Sequence, residues 1–305
     1  MAFSAADVKK LREMTGVGMM DCKKALTASD GDMDKAVEWL REKGLAASQK
    51  KAGRIAAEGV AYAAVIDGVG VVVEVNAETD FVAKNEKFTD FVKGVARTVA
   101  KVAPADLDAL MAAKYDDSDK TVTEQQQEMV LVIGENIKVR RFARFDKGVC
   151  VPYVHMGGRI GVLVNLEVSA GLEDKVNEVG KDLAMQIAAL RPAFLDKSQV
   201  TQEVLDNEKK ILMVQMESDP KMASKPEAVR EKIVMGKIGK YYSENCLMQQ
   251  EFVKDSSMTV EQYVAGVAKN LGGTIKLVDA VRFEKGEGIE KKEENFADEI
   301  AKLVK

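Results

Sequence analysis

An α+β fold with more than one core is predicted from three observations. At 305 residues the chain exceeds what one hydrophobic core usually serves. Two β-branched runs, Gly70-Val-Val-Val-Glu-Val75 and Gly161-Val-Leu-Val-Asn-Leu166, are each followed after a polar stretch by an amphipathic segment of helical period. Purely helical stretches flank this repeated pattern on both sides.

Residues up to Gly44 predict three short helices. Ser4 with Asp7 three positions on is a start of the capping-box type, and Val8, Leu11 and Met14 share one face before Gly16 and Gly18 break the helix. Cys22, Ala25 and Leu26 supply a second face. Asp32 is the expected N-cap of the third helix, which carries Met33, Ala36, Val37 and Leu40, with Gly44 expected as its left-handed terminus and Leu45 as the accompanying apolar contact. From Ala46 to Ala57 the residues are small or basic with no apolar face, which predicts a flexible linker.

The two strand runs lead into helices predicted over Phe88–Val102 and Val176–Leu190. Each ends near a proline, Pro104 or Pro192, which removes a donor and stops the helix. Two copies of strand and helix predict a core of two related subdomains. Ile133–Arg144 and Thr274–Phe283 are expected to add strands, because Val139-Arg-Arg-Phe-Ala-Arg-Phe145 partly alternates and Ile275–Val281 is rich in β-branched residues. Gly157-Gly-Arg-Ile-Gly161 precedes a strand and predicts a hairpin turn. Between Phe194 and Val253 the pattern is helical: Val204 and Ile211, and Leu205 and Leu212, are seven apart, and Val234, Ile238, Tyr241 and Tyr242 follow a helical stagger. Pro220 and Pro226 fall between them, which predicts two antiparallel helices joined at a turn.

Composition narrows function. With 45 basic against 49 acidic residues and no long segment of one sign, direct nucleic-acid binding is not expected. Cys22, Cys150 and Cys246 are odd in number and far apart, which predicts neither a disulfide framework nor a CxxC metal pair and fits a reducing cytoplasm. The chain reaches Asp7 before any apolar stretch, and no run approaches the ~20 apolar residues of a membrane span, so neither export nor membrane insertion is expected. His155 is the single histidine, so a cysteine–histidine catalyst would have to pair it with Cys150 and lacks any other signature. There is no GxxxxGK[ST] or HExxH motif and no GxGxxG after a strand.

Glu78-Thr-Asp-Phe-Val-Ala-Lys-Asn85 is the most informative segment, for it sets an acid beside an aromatic at the end of Val71-Val-Val-Glu-Val75. From the residues alone two readings stand: Asp80 caps the next helix with Phe81 in the core, or the acid and aromatic project to be inserted into a partner. Met19 and Met20, between Gly18 and Asp21, suit either core packing or an adaptable apolar contact. His155 is a solvent-facing imidazole or a contact residue.

These residues carry a resemblance. Glu78–Asn85, together with Leu11-Arg-Glu-Met-Thr-Gly-Val-Gly-Met-Met-Asp-Cys-Lys-Lys-Ala-Leu26 and the tail Arg282-Phe-Glu-Lys-Gly-Glu-Gly-Ile-Glu-Lys-Lys-Glu-Glu-Asn-Phe296, closely resembles the signatures of bacterial translation elongation factor Ts, the guanine nucleotide exchange factor of elongation factor Tu. The resemblance implies a ubiquitin-associated-like three-helix module and linker at 1–54, one core subdomain at 55–146, and a second at 147–193 and 254–286. It further implies an inserted helical hairpin at 194–253 and a C-terminal helical module at 287–305, whose stripe Ile289, Phe296, Ile300 and Leu303 either docks on the partner or packs on its own core.

As to activity, the resemblance implies binding to elongation factor Tu, both with GDP and free of nucleotide. The factor would promote GDP release by disturbing the magnesium and phosphate site, making and breaking no covalent bond and needing no cofactor. Thr79, Asp80, Phe81 and Val82, with Arg12, Val17, Met19 and Met20, would meet the partner's GTPase domain. Ile133, Gly134 and His155 would lie on a second contact surface toward its β-barrel domain. The hairpin could also join two copies as a dimer. The rival reading is a ubiquitin-associated-like adaptor without exchange activity, in which the first module binds a partner on its own.

Overall fold

The structure, a computed structural model, describes residues 3–290 and is mixed helix and sheet, an α+β protein. It divides into two compact units. One comprises residues 3–144, 154–161 and 283–290, the other residues 145–153 and 162–282.

In the first unit, helices α1 (Ala5–Thr15), α2 (Met19–Ala28) and α3 (Met33–Lys51) enclose a small core of Leu11, Cys22, Ala25, Leu26, Ala36 and Leu40. The capping box forms as expected: Ser4 Oγ accepts from the Asp7 amide and Asp7 Oδ2 from the Ser4 amide. Asp32 caps α3 by accepting from the Asp34 and Lys35 amides. The expected end at Gly44 is corrected, because α3 runs on to Lys51 and takes up half of the supposed linker. Gly44 is buried inside the helix, where a Cβ would meet the Gln127 carbonyl at 3.3 Å. The glycine is there for close helix approach and not for a left-handed turn.

Strands β1 (Glu58–Ile66) and β2 (Val69–Ala77) form an antiparallel hairpin in register from Glu58↔Ala77 to Ile66↔Val69. Asp67 and Gly68 turn it with φ of 51° and 80°, the two positive values a type I′ turn requires. Strand β3 (Lys138–Phe145) completes the sheet in the order β1-β2-β3. Helix α4 (Glu86–Val102) covers it with Phe88, Phe91, Val92, Val95 and Val99. Helices α5 (Leu107–Ala112) and α6 (Val122–Ile133) follow, the second opened by a Thr121–Glu124 capping box. The strand expected from Ile133 therefore begins only at Lys138.

Glu74, at the centre of β2, is fully buried and held on several sides. Arg140 Nη1 lies 2.9 Å and Arg141 Nε 2.5 Å from its carboxylate, and the Gly286 amide donates to it at 2.8 Å. Arg140 also donates to the Glu287 carbonyl, and the Arg141 guanidinium stacks on Phe283 at 4.3 Å. A buried charge is tolerated only when paired and hydrogen-bonded in this way. The network fastens residues 283–287 to β2.

Strands β4 (Val149–His155), β5 (Ile160–Val168) and β8 (Ile275–Glu284), most of whose residues belong to the second unit, form a sheet in the order β4-β5-β8, and α7 (Asn177–Leu190) belongs to the same unit. Helices α8 (Gln202–Ser218), α9 (Pro220–Ala223) and α10 (Glu227–Asn245) come next. Leu212 and Met216 of α8 share an apolar cluster with Val234 and Ile238 of α10, and Arg230 pairs with Glu217 at 3.9 Å beside the turn. Strands β6 (Glu251–Phe252) and β7 (Asp255–Thr259) and helix α11 (Val260–Leu271) lead into β8.

The repeat seen in the sequence extends to element boundaries. At a constant offset of 91 residues, β2 (Val69–Ala77) matches β5 (Ile160–Val168), a 3-10 turn at Val82–Lys84 matches one at Glu173–Lys175, and α4 and α7 start at Glu86 and Asn177. Both helices end on a left-handed non-glycine residue just before a proline, Ala103 and Arg191 with φ of 50° and 48°. The apolar tail positions Phe296, Ile300 and Leu303 lie outside the described residues. No helix among the described residues is long and apolar enough to cross a membrane.

Candidate partner-binding site

Phe81 stands at the turn that closes β2 and is 81% exposed. A ring this exposed contributes little to the core beneath it. The core reading of Phe81 is thereby corrected. So is the capping role of Asp80, which is exposed, because the N-cap of α4 is Asn85, accepting from the Lys87 and Phe88 amides.

The backbone beneath Phe81 is held by a carboxylate from a distant loop. Glu135 Oε2 accepts from the amides of Glu78 and Thr79, both at 3.0 Å, and Glu135 Oε1 accepts from Thr79 Oγ1 at 2.6 Å. Glu78 Oε1 returns the contact by accepting from the Asn136 amide at 2.6 Å. The end of α3 braces both loops. Lys51 Nζ donates to the Gly134 carbonyl at 2.6 Å, Asn136 Nδ2 donates to the Arg54 carbonyl at 2.8 Å, and Arg54 Nη1 lies 3.5 Å from Glu78. Burial, together with the positive charge of Arg54, holds the Lys51 ammonium below the usual lysine range, with Glu78 and Glu135 acting against them.

The other expected contact residues divide into surface and support. Val82, 7% exposed, belongs to the sheet core, and Val17, 4% exposed, belongs to the three-helix core, where its carbonyl accepts from Cys22 Sγ. Both side chains face inward in the free protein, so what these two residues present at the surface is backbone. Met19 and Met20 form the first turn of α2 and are 50% and 65% exposed, so neither serves the core. Arg12 is exposed on α1, and its carbonyl accepts the Gly16 amide that closes that helix. Lys87, on the first turn of α4, donates to the Gly16 carbonyl at 3.1 Å and so ties the loop before Met19 to the helix after Phe81.

Ile133 is partly buried against the sheet core, and Gly134 is the left-handed C-cap of α6 with φ 86°. Gly134 adjoins the Glu135 clamp, which places it under the Phe81 turn. His155 ends β4 and is followed by a tight turn, Met156–Gly158, with positive φ throughout. That turn rests on β1, with Gly158 against Val60, and the 3-10 turn after Phe81 rests on the same strand. The sequence alone points to Ile133 and Gly134 but not to Glu135, Lys51 or Lys87. Partners 57 residues apart leave no local pattern.

Among the described residues, the groups that meet beneath Phe81 are carboxylates, backbone amides, a threonine hydroxyl and a lysine ammonium. Cys150 Sγ donates to the Phe145 carbonyl at 3.7 Å. What the site presents is an aromatic ring on backbone already fixed by charged hydrogen bonds, with exposed methionines on the same unit. Backbone held in this way adds little ordering cost to a contact made from the turn.

Residues 78–287 match the family described as Elongation factor TS. The chain is 46% identical to elongation factor Ts of Syntrophotalea carbinolica over the full length of both chains. It is 49% identical to that of Clostridium kluyveri, covering 99% of this chain and 98% of the relative, and 50% identical to that of Clostridium botulinum strain Alaska E43, covering 99% of each. Phe81 and its clamp lie within the matched region, and the chain belongs to the elongation factor Ts family of translation elongation factors.

Proposed function

We propose that the protein binds elongation factor Tu carrying GDP, promotes GDP release by disturbing the magnesium and phosphate site, and holds the nucleotide-free partner until GTP binds. Phe81, exposed on a clamped turn, is the observation that carries this reading. The factor acts as a coupled ligand: if it weakens GDP binding by some ratio, GDP weakens its binding by the same ratio, and no covalent bond changes. Inserting Phe81 gives the differential contact such coupling needs. Asp80, Thr79, Arg12, Met19 and Met20 line the same reading, with Gly134, Ile133 and His155 as its periphery. Catalytic amounts of the protein should accelerate release of labelled GDP from purified elongation factor Tu, and unchanged release at micromolar factor would overturn the reading.

The five-part division is proposed with it: a ubiquitin-associated-like module at 1–54, core subdomains at 55–146 and at 147–193 with 254–286, a hairpin at 194–253 and a C-terminal module from 287. Exposed Ile211 and Val214 on α8 and Met235 on α10 support the hairpin as a contact with a second copy. The adaptor reading, in which the first module acts alone, is disfavoured because Leu131 and Val132 of α6 pack against the three-helix core and Arg41 pairs with Glu124 at 2.5 Å.

A further inference from the structure

The two copies of the strand–turn–helix unit allow a comparison within one molecule. At the offset of 91 residues, Phe81 corresponds to Leu172, and Glu78 and Thr79 to Ser169 and Ala170. Leu172 is only 6% exposed and lies against Gly273. At the position equivalent to Glu78 its turn is fastened by neutral groups: the Ser169 amide donates to the Thr274 carbonyl at 3.1 Å, and the Thr274 amide donates to Ser169 Oγ at 2.9 Å. The carboxylate in this copy is local: Glu173 accepts from the Gly171 amide at 2.8 Å, inside the turn itself. In the copy that exposes its apolar residue the carboxylate comes instead from a distant loop, and Glu135 accepts three hydrogen bonds from Glu78 and Thr79.

Hydrogen bonds from neutral donors to a carboxylate are about twice as strong as neutral pairs. Three of them on two consecutive residues fix the direction in which the chain leaves β2, and hence the direction of the Phe81 side chain two residues later. Fixing that direction before binding removes a cost that a mobile turn would meet on docking.

We propose that Glu135 is the positioning residue for Phe81, clamping the Glu78–Thr79 backbone so that the ring is presented in one orientation to the partner. This rests on the exchange reading above. Gln at 135 keeps one carbonyl acceptor for the two amides and can donate to Thr79 Oγ1, so it preserves much of the clamp. Ala preserves none.

The test uses the full-length protein as wild type, Glu135→Ala, Glu135→Gln, Phe81→Ala and the Glu135→Ala/Phe81→Ala double variant. In the free protein, amide hydrogen exchange at Glu78 and Thr79 should accelerate about tenfold or more in Glu135→Ala and be largely restored in Glu135→Gln. With elongation factor Tu, Glu135→Ala should lower the maximal GDP-release rate about tenfold while shifting the half-saturating factor concentration less, and should have no further effect when Phe81 is already Ala. Unchanged amide protection in Glu135→Ala overturns the proposal. An equal loss of rate with and without Phe81 also overturns it, because Glu135 then acts elsewhere. If Phe81→Ala leaves GDP release unchanged, the exchange reading fails, and the amide exchange still decides whether Glu135 holds the turn. Should Glu135→Ala not fold, Thr79→Val, which removes the hydroxyl that donates to Glu135 Oε1, takes its place in the same measurements against wild type.

Discussion

Truncating Phe81 should cost the fold almost nothing, while truncating its counterpart Leu172 should cost it heavily. With 81% of Phe81 exposed, about 40 Å² of a side chain that buries about 200 Å² when fully covered is in contact, which at about 25 cal/mol per Å² is about 1 kcal/mol at most. Leu172 is 6% exposed, and removing a buried leucine to Ala costs about 2–5 kcal/mol. Urea unfolding of Phe81→Ala and Leu172→Ala, followed by circular dichroism, measures both. Because the two residues belong to different units, each transition is fitted separately where two are resolved. A loss above about 2 kcal/mol in Phe81→Ala would refute the reasoning, for the ring would then be part of the core.

Two more outcomes follow from the first unit. Glu74→Ala leaves Arg140 and Arg141 without their shared anion and should destabilise the protein by about 3 kcal/mol, with faster hydrogen exchange at the Gly286 amide; a change under about 1 kcal/mol by urea unfolding would contradict the clamp. Burial pushes the Tyr115 phenol from 10.0 up to about 12, against a smaller opposing effect of Arg97. A raised acid is stabilising below the unfolded value and loses that contribution above it, so stability should fall between pH 10 and 12 while only the unfolded chain has lost the proton, and Tyr115→Phe should flatten this part of the profile relative to wild type.

Local signals in the sequence were legible where the physics is local. The capping residues Ser4, Asp7 and Asp32 act within one turn, and the helices ending before Pro104 and Pro192 were foreseen to within a few residues. Strand β1 was missed although Asp67-Gly68, between Ala63-Ala-Val-Ile66 and Val69, is a strong hairpin signal. Helix α6 was missed although Thr121 and Glu124 spell a capping box ahead of Met129-Val-Leu-Val-Ile133.

Gly44 misled for a different reason. A glycine looks the same in sequence whether it supplies a left-handed φ or room for another backbone, and only the approach of Gln127 separates the two. The site divides in the same way. The acid and aromatic of Asp80 and Phe81 were visible in a short run. Glu135, Lys51 and Lys87, which hold that run and its neighbours in place, act across 57, 83 and 71 residues and leave no periodicity to read. The burial of Val17 and Val82 was not legible, because an apolar residue inside such a segment is as readily its anchor as its surface.

The most direct test of the central claim is the rate of labelled GDP release from elongation factor Tu at saturating wild-type and Phe81→Ala factor, with and without a magnesium chelator. The account predicts that Phe81→Ala, still folded, releases GDP about tenfold more slowly or worse, and that removing magnesium shrinks the gap because part of the work of the ring is already done. Equal rates for the two proteins in the presence of magnesium would contradict it.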